Sequence, residues 1–116
     1  MEGLEEQLAR FGSSPFLLTV GSGSHPHAVS VRVAFSEGVF TTRVGRSTRA
    51  NATDHPEVTL LWPPVDDQEY SLIVDGTAAL EDDVIRVTPT GAILHRTSAR
   101  RPEDPAGSDC VAILRD

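Results

Sequence analysis

The chain has 116 residues and a formal net charge of −7. An acidic protein repels nucleic-acid phosphates, so the charge argues against a nucleic-acid partner. All ten basic residues are arginine, which excludes lysine chemistry such as Schiff-base formation.

The length predicts one domain over residues 1–116, with a single core that a second subunit would help to bury. The only cysteine, Cys110, cannot form an internal disulfide, and we expect it to be a buried thiol in a short strand. The N-terminus lacks the features of a signal peptide, and no apolar run is long enough to span a bilayer. We therefore predict a cytoplasmic protein with no membrane partner.

The first predicted element is a helix, and short strands follow it. Leu4, Leu8 and Phe11 share one face of a helix over residues 2–11, which the cluster from Gly12 to Pro15 ends. Runs of strand-forming residues bounded by turn residues then predict seven strands. These are Phe16 to Val20, Ala28 to Phe35, Val39 to Thr42, Val58 to Trp62, Tyr70 to Leu80, Val84 to His95 and Cys110 to Leu114.

Two short connections predict antiparallel hairpins. Gly21 to Ser24 joins the first two strands, and Ser36 to Gly38 joins the second and third. Within Ala28 to Phe35, valine and phenylalanine alternate with smaller or polar residues, which is the period of a strand with one apolar face. We expect that face to line the core.

The segment from Ser47 to Asp54 predicts a short helix between strands three and four, with Ser47 or Thr48 as its N-cap. Many short strands without a βαβ alternation indicate a mainly β protein, a closed or nearly closed antiparallel barrel. The segment from Ser98 to Ser108 is rich in Pro, Arg, Asp and Gly, which predicts a mobile loop.

Residues 41–51 combine three arginines with four hydroxyl side chains, and no Asp or Glu lies between Glu37 and Asp54. Guanidinium groups match phosphate oxygens, hydroxyls donate to them, and the free N–H groups at a helix start point the same way. The stretch therefore predicts a phosphate site. On charge alone, the arginines could equally be solvated and paired with surface acids.

Three segments resemble the pyridoxamine 5'-phosphate oxidase-like family, the FMN-binding split barrels. They are VFTTRVGRSTRANATDHPEVTLLW at 39–62, LLTVGSGSHPHAVSV at 17–31 and LIVDGTAAL at 72–80. The resemblance implies an antiparallel split β-barrel, and a flavin-dependent oxidoreductase that uses FMN and a small-molecule redox substrate. It also implies a homodimer with the cofactor at the subunit interface. Alternatives are a deazaflavin, haem or no cofactor, or a non-catalytic dimeric module that binds or sequesters a flavin, deazaflavin or other phosphate-bearing ligand.

The family often has an Arg-Lys pair at its phosphate turn, where this sequence has Ser47 and Thr48. The resemblance thus implies that Arg46 or Arg49 supplies the charge. The candidate cofactor-binding residues are Thr42, Arg43, Arg46, Ser47, Thr48, Arg49, Arg32 and Trp62. For the last two a simpler interpretation stays open, since Arg32 could face solvent and Trp62 could close the core.

No other constellation indicates a site. His25 and His27 would share a strand face, but the sequence offers no convincing further ligands beside them, so we predict no metal. No nucleophile elbow stands between a strand and a helix, and no catalytic residue can be named.

Overall fold

The computed structural model describes residues 2–66, 70–97 and 108–114. In chain order its elements are α1 (Glu2–Phe11), β1 (Phe16–Val20), a 3₁₀ turn (Ser22–Ser24), β2 (Pro26–Ser30), β3 (Ala34–Ser36), β4 (Val39–Arg43), α2 (Arg46–Asp54), β5 (Glu57–Trp62), β6 (Ser71–Glu81), β7 (Val84–Thr97) and β8 (Ser108–Leu114). The predicted N-terminal helix, the hairpins and the helix before β5 are thus confirmed, with boundaries shifted by a few residues at most.

All strands belong to one antiparallel sheet with the order β2-β1-β5-β6-β7-β4-β3. The long strand β7 pairs with β6 on one side, and with both β4 and β8 on the other. Within the described residues, β2 and β3 lie at the two ends of this order and do not pair with each other. The sheet is therefore open, which confirms a mainly β, split-barrel architecture.

The core lies on one face of the sheet. Alternate residues of neighbouring strands are buried there, such as Leu60 of β5 and Val74 of β6, both fully inaccessible to solvent. The two helices cover this face with Leu4 and Ala52. Burial of one face of each strand explains why the sequence alternates with a period of two.

Trp62 connects the end of α1 to the core. Gly12 follows α1 with φ +89°, a conformation that favours glycine, and its N–H donates to Leu8 O at 2.9 Å. The Gly12 carbonyl accepts a 2.9 Å hydrogen bond from Nε1 of Trp62. The ring of Trp62 packs against Phe40, with 5.6 Å between the two ring centroids. The predicted helix stop therefore also positions the indole.

One predicted strand is divided. The run from Ala28 to Phe35 forms β2 and β3, separated by residues 31–33. In this gap Val31 N–H donates to Pro15 O and Val33 N–H to Ser13 O, so the chain bonds to the segment before β1 instead of to a strand. The prediction of one strand was wrong because side-chain alternation persists through the break.

The expected N-cap of α2 was also wrong. The helix begins at Arg46, and its N-cap is Gly45, which has extended backbone angles and no side chain to cap the first turn. Ser47 and Thr48 lie inside that turn, so neither occupies the capping position.

Cys110 is exposed, contrary to the predicted buried thiol. Within the described chain, β8 pairs only with β7, and Val111, on the opposite face, is exposed as well. Neither face of β8 is covered at this point by the described residues. The predicted loop from Ser98 to Ser108 lies outside the described residues, except that Ser108 begins β8.

Among the residues that the structure describes, no helix has the length and apolar character needed to cross a membrane.

Candidate functional site

A groove of about 400 Å³ lies between β2 and the turn from β4 to α2. We call it the α2 groove. Its polar lining residues are His27, Ser30, Arg43, Arg46, Ser47 and Thr48. Valines from both sides complete its wall. The structure thus brings together Arg43, Arg46, Ser47 and Thr48, four of the predicted phosphate-site residues, at the opening of the split sheet.

The N-terminus of α2 forms one side of this groove. The N–H groups of the first turn have no earlier helical carbonyl to bond, and Gly45 provides no side-chain cap. The first intrahelical bond runs from Arg49 N–H to Gly45 O at 3.0 Å. The turn contains no acidic residue. Free N–H groups, the helix dipole and the Arg46 side chain therefore act in the same direction on an anion.

A second groove, of about 470 Å³, adjoins the first and shares Arg43 with it. We call it the Arg32 groove, since Arg32, Thr41, Thr42 and Arg43 supply its polar lining together with Ser13. Thr42 Oγ1 donates a 2.8 Å hydrogen bond to the carbonyl of Arg32. Thr42 consequently joins β4 to the segment between β2 and β3, and it lines the Arg32 groove and not the α2 groove.

Arg43 is held by a surface ion pair. Its Nη1 lies 3.1 Å from Oδ2 of Asp83, and the two side chains are 81% and 47% exposed. An ion pair this exposed stabilises the fold little, so the guanidinium can exchange partners at small cost. Among the described residues, no Asp or Glu lines either groove. In the described part of the chain, no group of three His, Cys, Asp or Glu side chains could hold a metal ion.

Two predicted residues lie away from both grooves. Arg49 lines neither, and its Nε is buried on α2 without a hydrogen-bond partner among the described residues. Trp62 is 1% exposed and packs in the core, so the structure favours the core interpretation over contact with a flavin. Its assignment as a cofactor-binding residue is corrected for this reason.

Two lining residues, His27 and Ser30 of β2, were not predicted from the sequence as parts of this site. A signal for His27 was present, since the inward alternation of Val29, Val31 and Val33 extends back to it. Its Nδ1 atom is buried and has no hydrogen-bond partner among the described residues.

The comparison with solved structures gives the class of the fold. A protein of Listeria innocua described as a pyridoxamine 5'-phosphate oxidase has a TM-score of 0.67 and 18% identity, over 78% of this chain and 97% of its own. An F420 reductase has a TM-score of 0.63 and 18% identity, over 75% and 94%. An FAD-binding protein of Mesorhizobium loti has a TM-score of 0.64 and 14% identity, over 79% and 90%. The chain therefore has the fold of the pyridoxamine 5'-phosphate oxidase-like split barrels, as its sequence segments suggested.

Sequence comparison gives the family. No model of a known protein family matches the chain. It is 38% identical, over an alignment of 120 positions, to the uncharacterized proteins Mb0449c of Mycobacterium bovis and MT0457 of Mycobacterium tuberculosis. The alignment covers 84% of this chain and 83% of each relative. The chain belongs to the family of these two mycobacterial proteins.

Proposed function

We propose that the chain binds a phosphate-bearing flavin or deazaflavin, with its phosphate in the α2 groove, and that FMN is the cofactor. One observation carries the proposal: Arg46, the hydroxyl groups in the first turn of α2 and the uncapped N–H groups of that turn lie in one groove, and no carboxylate of the described residues lines it. These are the donors that a phosphate monoester requires. The names of the F420 reductase and the FAD-binding protein support a cofactor of this class.

We propose further that the protein is an oxidoreductase acting on a small-molecule substrate. The redox chemistry belongs to the flavin, while the protein supplies binding, orientation and electrostatics.

The absorption spectrum of the purified protein, followed by titration with FMN, riboflavin and F420, tests the cofactor proposal. We expect visible flavin bands or saturable binding of FMN, and weaker binding of riboflavin because it lacks the phosphate. If the purified protein binds neither FMN nor F420, the cofactor proposal is excluded. Reduction of the bound cofactor by a nicotinamide donor, with transfer to an acceptor, would separate an enzyme from a module that only sequesters the ligand.

A pair of arginine variants locates the phosphate. Arg46→Ala should weaken FMN binding about tenfold or more, the loss expected for one charge-assisted hydrogen bond. Arg10→Ala is the matched control, because Arg10 lies on α1 and lines neither groove. Equal FMN affinity in the two variants would place the phosphate elsewhere.

We propose a homodimer that uses the outer face of the sheet. An apolar row crosses four adjacent strands on the face opposite the core, formed by Phe16, Leu61, Ile73 and Ile93, which are neighbours in register. Phe16 is 40% exposed. A continuous apolar row on a sheet face is typical of a surface that a partner covers. A second copy of the chain would cover it and bury apolar area that a small domain cannot bury alone.

A further inference from the structure

An apolar pocket of about 240 Å³ lies at the end of α1, and we call it the α1 pocket. Its lining residues are Leu8, Gly12, Ser13, Val33, Phe35 and Phe40. The rings of Phe35 and Phe40 pack against each other with 4.5 Å between their centroids. Leu8 and Phe35 are half-buried whereas Phe40 is buried, so the first two supply most of the accessible apolar surface. A pocket with this lining suits a hydrocarbon or aromatic group.

The α1 pocket adjoins the Arg32 groove, because Ser13 and Val33 line both cavities. Two hydrogen bonds fix this shared wall. Val33 N–H donates to Ser13 O at 2.9 Å, and Thr42 Oγ1 donates to Arg32 O at 2.8 Å. The backbone on which Arg32 stands is therefore held in place before any ligand binds, which lowers the entropy that binding costs.

Arg32 supplies a positive charge beside the apolar pocket. Its side chain is exposed, and its guanidinium makes no hydrogen bond or ion pair with a residue that the structure describes. Arg43, the other cation of the groove, is different, since Asp83 lies 3.1 Å from its Nη1 and neutralises part of its charge. Within the described ranges no carboxylate lines the groove or the pocket. Arg32 is thus the cation of this region that is accessible to an anionic ligand.

We infer that the Arg32 groove and the α1 pocket together bind an amphipathic carboxylate. The carboxylate of this small molecule pairs with Arg32, and its aromatic or branched hydrocarbon part enters the α1 pocket. A guanidinium offers two parallel N–H donors to the two oxygens of a carboxylate, and transfer of the hydrocarbon part out of water adds to the affinity. The inference goes beyond the proposed function, because it concerns a second ligand and requires no cofactor.

The test is an NMR titration with three probes, which follows the backbone amide signals of Ser13, Val33 and Phe35. Phenylpropionate carries both the ring and the carboxylate, phenylpropanol lacks the charge, and propionate lacks the ring. We expect phenylpropionate to bind at least about fivefold more tightly than either of the other two, because it alone makes both interactions. The absence of any shift with phenylpropionate would overturn the inference.

A pair of variants assigns the charge. Arg32→Gln should weaken phenylpropionate binding about fivefold or more and leave phenylpropanol binding unchanged, since only the carboxylate contacts the guanidinium. Arg86→Gln is the matched control. Arg86 is exposed and its register partner Thr41 lines the Arg32 groove, but Arg86 itself lines neither cavity. Equal losses in the two variants would show a general attraction by positive charge and would overturn the inference.

A third variant assigns the apolar part. Phe35→Ala should weaken phenylpropionate and phenylpropanol alike, and circular dichroism shows whether the fold is kept. Loss of phenylpropionate binding in neither Arg32→Gln nor Phe35→Ala would place the ligand elsewhere and end the inference.

Competition with FMN separates this site from the cofactor site. Saturating FMN should leave phenylpropionate binding unchanged, because the proposed phosphate site lies around Arg46 in the α2 groove. Displacement of phenylpropionate by FMN would show that the cavity belongs to the cofactor, and the inference would fail while the proposed function stands. If the chain binds phenylpropionate but neither FMN nor F420, the proposed function fails and this inference stands.

Discussion

Asn51 of α2 and Thr19 of β1 are joined by a hydrogen bond of 3.1 Å, from Nδ2 of the amide to Oγ1 of the hydroxyl. Thr19 is only 2% exposed. Asn51 also packs close to Gly21, where a Cβ atom would lie 3.4 Å from Oδ1 of the amide. This contact fixes α2 against the sheet, and it thereby holds the first turn of the helix across the groove from β2.

Replacement of Asn51 should therefore affect stability. We expect Asn51→Ala to lower the free energy of unfolding by about 1–3 kcal/mol, because it leaves the buried hydroxyl of Thr19 without a partner. Urea unfolding followed by circular dichroism measures the change. Thr53→Ala is the control, since its hydroxyl bonds only to the Arg49 carbonyl within the same helix and is exposed, and it should change stability by less than about 0.5 kcal/mol.

A double variant tests the same contact from the other side. Thr19→Val combined with Asn51→Leu removes both polar groups. The double variant should therefore lose less free energy of unfolding than the two single variants lose when their losses are added. Additive losses would show that the hydrogen bond does not couple the helix to β1.

Gly76 should tolerate no side chain. A Cβ atom at this position would lie 2.6 Å from Cγ1 of Val87 and 2.7 Å from the carbonyl oxygen of Thr88, beside a register shift between β6 and β7. Gly76→Ala should lower the free energy of unfolding by about 1–3 kcal/mol or more, as overpacking does. Gly91→Ala is the matched control on β7, where the nearest atom would be Leu114 O at 3.7 Å. Similar melting temperatures for the two variants would contradict this account.

Substitution of Trp62 should lower the stability of the fold without changing the affinity for FMN. Trp62→Phe removes the hydrogen bond to Gly12 O and reduces packing against Phe40, for an expected loss of about 2 kcal/mol in the free energy of unfolding. FMN affinity should not change. Arg46→Ala should give the opposite pattern, with weaker binding and unchanged stability. A clear loss of FMN affinity in Trp62→Phe would show that Trp62 takes part in cofactor binding.

Much of the fold could be predicted because each strand buries one face, and burial leaves a period of two in the sequence. The break between β2 and β3 could not, since Val31 and Val33 keep that period while their N–H groups bond to the segment before β1. Exposure of Cys110 depends on what covers β8, which local sequence does not specify. Gly76 lies in the segment 72–80, whose sequence resembles the pyridoxamine 5'-phosphate oxidase-like family. Only the structure shows which atoms exclude a side chain at this position.

The candidate site could be predicted only in part, because the sequence reveals residues that are close along the chain but not contacts between distant segments. Arg43, Arg46, Ser47 and Thr48 are close in sequence, so their composition indicated an anion site before their positions were known. His27 comes from another strand, and only the opening between β2 and the turn before α2 brings it to the same groove. Contacts between distant segments depend on the topology of the sheet, which a single sequence does not reveal.

The outer apolar row offers the test of the proposed dimer. Ile73 is at its centre, between Leu61 of β5 and Ile93 of β7, and it points away from the buried residues Leu72 and Val74. Ile73→Glu should convert the dimer into a monomer, because a charge at the centre of an apolar interface cannot be desolvated without a partner. Light scattering during gel filtration measures the mass.

Thr77→Glu is the control for this change. Thr77 lies on the same face of the same strand, four residues further on, but it is exposed beside Glu57, where the outer face is already polar. We expect this variant to remain dimeric. Because the resemblance implies a cofactor at the subunit interface, Ile73→Glu should also bind FMN more weakly than Thr77→Glu while keeping the circular dichroism of the fold. A monomer that binds FMN as tightly as the control would show that one chain forms the whole site.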